Sequence, residues 1–222
     1  MSTKTSPSLN LERELFDSGA KYVLGIDEVG RGAIAGPVAV GVAVIEISKL
    51  NESWPAKLRD SKLLSEKVRE ELFEPTGAWV NQWAVGMASA QEIDANGIVW
   101  CLEAAAKRAV DQLELNFDEV HAILDGSHNW LARAPFRVKV QTKADRDCAI
   151  VAAASVLAKV TRDRMMIELS KEITGYGLEG HKGYASASHI ATIRDQGPSS
   201  EHRHTWLTRI LADPDSTVGE QG

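Results

Sequence analysis

The stretch GIDEVGRGAIAGPV, residues 25–38, sets two adjacent carboxylates, Asp27 and Glu28, between an apolar run and a turn made of Gly30, Arg31 and Gly32. Side by side in front of a glycine turn, the two charges repel each other and gain nothing from packing, so water or a bound cation must compensate them. Residues 22–26 before the pair and 38–45 after it are rich in Val, Ile and Tyr. They read as two strands of a long hairpin joined through a Gly/Pro-containing connection.

Outward from this hairpin, a third strand is expected around Trp79 to Met87. Between them, residues 65–74 (SEKVREELFE) read as an amphipathic helix with Ser65 as N-cap and Val68, Leu72 and Phe73 inward. Ser89 and Glu92 have capping-box spacing. Ile98, Leu102, Ala105, Ala109 and Leu113 recur at helical spacing and lead into the apolar strand 120–126, a helix-to-strand crossover. Residues 136–142 alternate like a half-exposed strand, and Asp147 to Ile173 reads as one long helix. Its small residues 152–155 (AAAS) allow close packing on a sheet. The rest reads as short helices broken by Gly183, Gly197 and Pro198, with a disordered tail after Asp213.

The 222 residues, 44% of them hydrophobic, suffice for one sizeable core. Cys101 and Cys148 lie far apart and read as small buried thiols. The first ten residues have no apolar signal segment, and the longest apolar run is interrupted by Gly and Pro, so a cytoplasmic protein with no membrane partner is expected. A net charge of −6 gives no global reason to expect nucleic acid. Locally, however, residues 159–209 carry Lys159, Arg162, Arg164, Lys182, Arg194, Arg203 and Arg209, together with His181, His189, His202 and His204.

Two further acids share the strand-end position of Asp27: Asp125 closes AILDG, and Asp145 sits in KAD before the long helix. If those strands are neighbours in one sheet, the carboxylates converge, and such a cluster is stable at neutral pH around hard divalent cations. Gly30, Gly32 and Ala35 also fit the dinucleotide pattern G-x-G-x-x-A, but Pro37 and a strand follow where a helix N-terminus should face the pyrophosphate. His202 and His204 lack a third ligand in the sequence around them and read as surface or phosphate-contacting residues. The tryptophans, without repeated spacing, read mostly as packing residues. A non-catalytic nucleic-acid-binding module would account for the basic C-terminal part but leaves the carboxylates as an unexplained electrostatic cost. Lys62, Lys143 and Lys159 are candidate phosphate contacts.

Taken together, GIDEVGRGAIAGPV, RDSKLLSEKVREEL, ILDG, KAD, AAASVLAKVTRDRMM and GHKGY through GPSSEHRHTW resemble, in order and from about Tyr22 to Trp206, the type 2 ribonucleases H, the bacterial ribonuclease HII enzymes. The resemblance implies an α/β fold, an RNase H-like mixed β-sheet flanked by helices with a helical C-terminal extension. It divides the chain into an N-terminal segment 1–20, a catalytic core 21–173, a helical substrate-binding part 174–212 and a tail 213–222. It implies cleavage of the RNA strand of RNA/DNA hybrids and at single ribonucleotides in duplex DNA, by a monomer using two divalent ions, Mg²⁺ or Mn²⁺. Asp27, Glu28, Asp125 and Asp145 match the family's acidic positions. Gly30, Arg31 and Gly32 match its substrate-binding turn, and Tyr184 its junction-sensing tyrosine. Ala33 stands where the family often has Pro, and Ala144 where it often has Gly.

Overall fold

In the computed structural model, residues 6–212 are described. The expected tail 213–222 lies outside them, as do the first five residues of the N-terminal segment. A five-stranded mixed sheet runs in the order β3-β2-β1-β4-β5. Its strands are β1 (Tyr22–Val29), β2 (Val38–Glu46), β3 (Gln82–Ala88), β4 (Val120–Asp125) and β5 (Arg137–Gln141). The first three are antiparallel neighbours, as the hairpin reading requires, whereas β4 and β5 join β1 in parallel. β1 and β2 are buried almost end to end because both faces of the sheet are covered.

Period-2 alternation sorts the side chains between two cores. Val23 and Ile45 meet the long helix α6 (Ala149–Glu172), with α1 (Asn10–Asp17) and α2 (Glu66–Trp79) beside it. Leu24, Ile26, Val40 and Val42 meet Leu102 and Ala105 of α4 (Ile98–Val110) on the other face, next to the short α3 (Ala90–Asn96). The helices lie unusually close to the strands. A Cβ on Gly25 would stand 2.4 Å from the backbone of Ile150, one on Gly41 2.5 Å from Ala154 O, and one on Gly86 2.0 Å from Ala105 O. Ser65 caps α2, and Ser89 with Glu92 forms the capping box of α3, both as the spacing predicts.

Three boundaries differ from the sequence reading. The α2 helix runs through Pro75 to Trp79, because burying Thr76 and Trp79 outweighs the one hydrogen bond that Pro75 cannot donate; β3 therefore begins only at Gln82. The long helix expected over Asp147 to Ile173 is α6, which begins at Ala149, and a separate short helix, α5 (Ala144–Asp147), precedes it with a break at Cys148. There the backbone of Ser8 takes over the pairing, donating to Asp147 O at 3.0 Å and accepting from Ala149 N at 2.9 Å. Trp100, expected to pack, is 44% exposed. Beyond α6, α7 (Leu178–His181), α8 (Ala187–Gln196) and α9 (His204–Ala212) form the helical C-terminal part.

Glu12 in α1 is buried at the start of α6, where Oε1 accepts from Ile150 N at 3.0 Å while Oε2 has no partner. Burial raises its pKa from 4.5 to about 7, against the backbone hydrogen bonds that pull it down. The folded chain thus holds this proton when the unfolded chain has released it, so the contribution of Glu12 to folding stability falls as pH rises from 4.5 to about 7 and is level above. Glu12→Gln is expected to remove that fall, on the order of 3 kcal/mol at most. Urea unfolding of both proteins at pH 4.5, 6 and 8 measures it; parallel pH profiles would contradict it.

Candidate active site

The register of β1 on β4 pairs Ile26 with Leu124, where the parallel pairing stops, so Asp27, still inside β1 opposite Gly41 of β2, and Asp125, the last residue of β4, follow at the same level. Asp145 reaches the same place from the turn after β5. That turn reverses through Lys143, whose φ of 60° is left-handed, and Ala144 N then donates to Asp125 Oδ1 at 2.6 Å. The left-handed residue is therefore Lys143, and Ala144 sits in ordinary helix, where no glycine is required. Asp27 shares the face of Gly25 that α6 approaches, and there Ser155 hydrogen-bonds its carboxylate. Ser61 lies 2.9 Å from Ser155, Oγ to Oγ, so a buried hydroxyl pair ties the short turn Ser61–Leu63 to Asp27.

Electrostatics follow from this crowding. Burial raises the Asp27 carboxyl well above its usual range, with Glu28, Asp125 and Asp145 adding to the effect, although the Ser155 hydrogen bond opposes it. Asp145 is raised to about 6 by burial, then by Asp125 and Asp60, against Lys62. Burial works against the Lys62 ammonium, yet its attraction to Asp27, Asp145, Asp60 and Asp125 prevails and its pKa rises. Oxygen donors gathered with so much uncompensated negative charge fit a hard divalent cation. Among the described residues, no three acidic, histidine or cysteine side chains are already closed around one point. The acids form an open rim, with Glu28 turned to Arg31 at 3.1 Å.

The other residues singled out in the sequence surround this rim unequally. Lys143 is exposed beside Asp145. Lys159 is paired with Asp163 at 2.8 Å and lies 5.7 Å from the ring centre of Tyr184, which is 37% exposed. Gly30, Arg31 and Gly32 follow β1 directly. His202 is not a surface residue: it is buried, its Nδ1 accepts from Ser199 N at 2.9 Å, and its Nε2 lies 3.0 Å from that of His189. An Nδ1 that accepts leaves the proton on Nε2, so His202 donates to His189, which in turn donates from Nδ1 to Tyr184 O at 2.8 Å. His204 stands exposed at the start of α9. The basic C-terminal patch is also largely internal, with Arg162, Lys182 and Arg203 buried and Arg164 paired with Glu70 at 2.6 Å. Sequence reasoning missed Asp60, Ser61 and Ser155; the one signal was Ser155 itself, a lone hydroxyl in an otherwise apolar run. A cleft of about 400 Å³ lined by Trp100, Phe117 and Phe136 contains none of Asp27, Glu28, Asp125 and Asp145.

A family model for Ribonuclease HII matches residues 24–209, a span that includes Asp27, Glu28, Asp125 and Asp145. The chain belongs to the ribonuclease HII family. A Ribonuclease HII of Streptomyces coelicolor is 45% identical over 90% of this chain and 83% of its own length. The crystal structure of ribonuclease H2 from Pyrococcus horikoshii superposes with a TM-score of 0.65 at 27% identity, covering 86% of this chain and 97% of that one. The RNase HII in a PCNA complex from Archaeoglobus fulgidus superposes at 0.66 with 28% identity, covering 83% and 94%. As a ribonuclease HII, the chain is an endonuclease that hydrolyses the RNA strand of RNA/DNA hybrids, and the family depends on divalent metal. Among the described residues no helix is long and apolar enough to cross a membrane.

Proposed function

We propose that this chain also cuts at single ribonucleotides embedded in duplex DNA, leaving 5′-phosphate and 3′-hydroxyl ends, with Asp27, Glu28, Asp125 and Asp145 holding two divalent ions, Mg²⁺ or Mn²⁺. The observation that carries this reading is the gathering of acids from β1, β4 and the start of α5 at one end of the sheet, where burial and the neighbouring acids raise the carboxyls of Asp27 and Asp145. Two such ions, when bound, supply activation of the attacking water and stabilisation of the leaving 3′ oxygen in an in-line displacement. The chain's own part is to hold and orient. Asp27, fixed by Ser155 and by Glu28 N, presents its carboxylate from a rigid strand. Asp125 is aimed by Ala144 N. Lys62 and Lys143 face phosphates at the rim; Lys159, already paired with Asp163, contributes less to binding than they do. Gly30, Arg31 and Gly32 meet the ribose 2′-hydroxyl, and the Tyr184 ring lies against the next sugar, where RNA gives way to DNA. The protein works in the cytoplasm as a monomer.

The test is duplex DNA carrying one ribonucleotide, incubated with Mg²⁺ or Mn²⁺ and then with a chelator. Cleavage 5′ of the embedded ribonucleotide that chelation stops supports the reading; binding without cleavage favours a recognition module instead. Tyr184→Ala is expected to lose about tenfold or more in single-turnover rate on this substrate. Its melting temperature should stay unchanged, because an exposed ring contributes little to the core. A rate equal to that of the unmodified protein would remove Tyr184 from the recognition assignment.

A further inference from the structure

Arg162 and Arg203 are both fully buried, and among the described residues neither is ion-paired to a carboxylate. Their donors go instead to backbone carbonyls of one short segment. Arg203 Nη2 donates to Gly30 O at 2.7 Å and to Gly36 O at 3.1 Å, Nη1 to Arg31 O at 2.9 Å, and its own backbone N–H to Ile34 O at 2.9 Å. Arg162 takes Pro37 O at 2.9 Å and Ala35 O at 3.3 Å, and reaches Lys182 O at 2.9 Å in the loop that leads to Tyr184. A Cβ on Gly30 would meet Arg162 Nε at 2.1 Å, so the segment lies directly on the two guanidinium groups.

A trans peptide points its N–H opposite to its C=O, and there are no cis bonds among the described residues. With the carbonyls of Gly30 and Arg31 drawn inward to Arg203, the N–H groups of Arg31 and Gly32 point outward. Both residues are exposed, and neither N–H donates to another described residue. The outward amides are backed by two buried guanidinium groups that hold the carbonyls of the segment, so this turn presents N–H donors rather than C=O acceptors outward.

We infer that Arg203 is a positioning residue for substrate selection: with Arg162 behind it, it turns the Arg31 and Gly32 amides toward the substrate, so that ribose is told from deoxyribose by donors that Arg203 never itself presents. This rests on the proposed role of the Gly30 to Gly32 turn. A lysine keeps the charge but cannot hold the carbonyls of Gly30, Arg31 and Gly36 at once.

The test is Arg203→Lys, with binding measured in Ca²⁺ to two duplexes of one sequence, one containing a single ribonucleotide and one all-DNA, and cleavage measured in Mg²⁺. The expected result is a loss of about tenfold or more in kcat/KM on the ribonucleotide duplex, with its affinity falling to that of the all-DNA duplex, whose own binding changes less than about twofold. An unchanged preference, or an equal loss on both duplexes, overturns the inference. Should Arg203→Lys not fold, the ¹⁵N–¹H signals of Arg31 and Gly32 in the unaltered protein decide: shifts with the ribonucleotide duplex alone support the inference, and equal shifts or none with both overturn it. If the unaltered protein fails to cut the ribonucleotide duplex, the functional reading itself fails; if it cuts and Arg203→Lys cuts with the same preference, only the positioning role does.

Discussion

Asp27→Asn lowers single-turnover cleavage by about a thousandfold or more while leaving the metal-free protein as stable as before, or more so. On the proposed assignment of Asp27 as a metal ligand, its removal withdraws several kcal/mol of transition-state stabilisation, and about 4 kcal/mol corresponds to that factor. Stability moves the other way because Asp27 is buried among Glu28, Asp125 and Asp145. The amide keeps an oxygen for Glu28 N, which donates to Asp27 Oδ1 at 2.8 Å, and the Ser155 hydroxyl can rotate to accept from the new NH₂ group. Since folding raises the Asp27 pKa, the unaltered protein loses stability as pH rises above the ordinary carboxylate range, and the advantage of the variant grows in the same direction. Rates at saturating Mg²⁺ and melting curves in a chelator measure both halves. Cleavage at the unaltered rate, or a melting temperature lowered by several degrees, would refute the account.

Gly25→Ala is the corresponding prediction for the scaffold. Its Cβ would stand 2.4 Å from Ile150 C and O and 2.6 Å from Val151 N, all backbone atoms of α6 with no flexible tip to move aside. To restore ordinary contact the helix must withdraw by about 1 Å, at a cost of about 3 kcal/mol. Because Ser155 rides on that helix, its hydrogen bond to Asp27 lengthens too, and activity falls at temperatures where the protein is still folded. Gly180→Ala is the control: nothing lies within 4 Å of the added methyl, and stability should change by less than about 0.5 kcal/mol. Equal urea midpoints for the two variants would show that α6 does not rest on β1 as described.

What the sequence made legible were features written in local chemistry. The Ser65 cap and the Ser89–Glu92 box depend on residues within a few positions of one another, the β1–β2 hairpin on two apolar runs adjacent in the chain, and each is present. Of the acids read as strand ends only Asp125 is one, since β1 runs on to Val29 and Asp145 lies in α5, and their meeting depends on β1 and β4 being parallel neighbours, which periodicity does not encode. The break at Cys148 was hidden for the same reason, since Ser8 creates it from the far end of the chain. His202 was read as a surface residue because a polar ring in a basic stretch of sequence is read as surface, and the burial of its neighbour Arg203 rests on partners far along the chain. Here the carbonyls of Gly30, Arg31 and Gly36 and the imidazole of His189 make burial possible.

The parallel pairing of β1 with β4 also orders the making of the enzyme in time. Parallel neighbours need a crossover, and here it runs through β2, α2, β3, α3 and α4. On a ribosome, Asp27 and Glu28 emerge and their hairpin can form well before Asp125 and Asp145 have been synthesised, so the early chain carries neither the full repulsion of the cluster nor its hold on a cation. Arg203, which fixes the turn after β1, comes later still. The four acids and the arginine that holds the turn after β1 therefore come together only once the chain beyond α6 has been made.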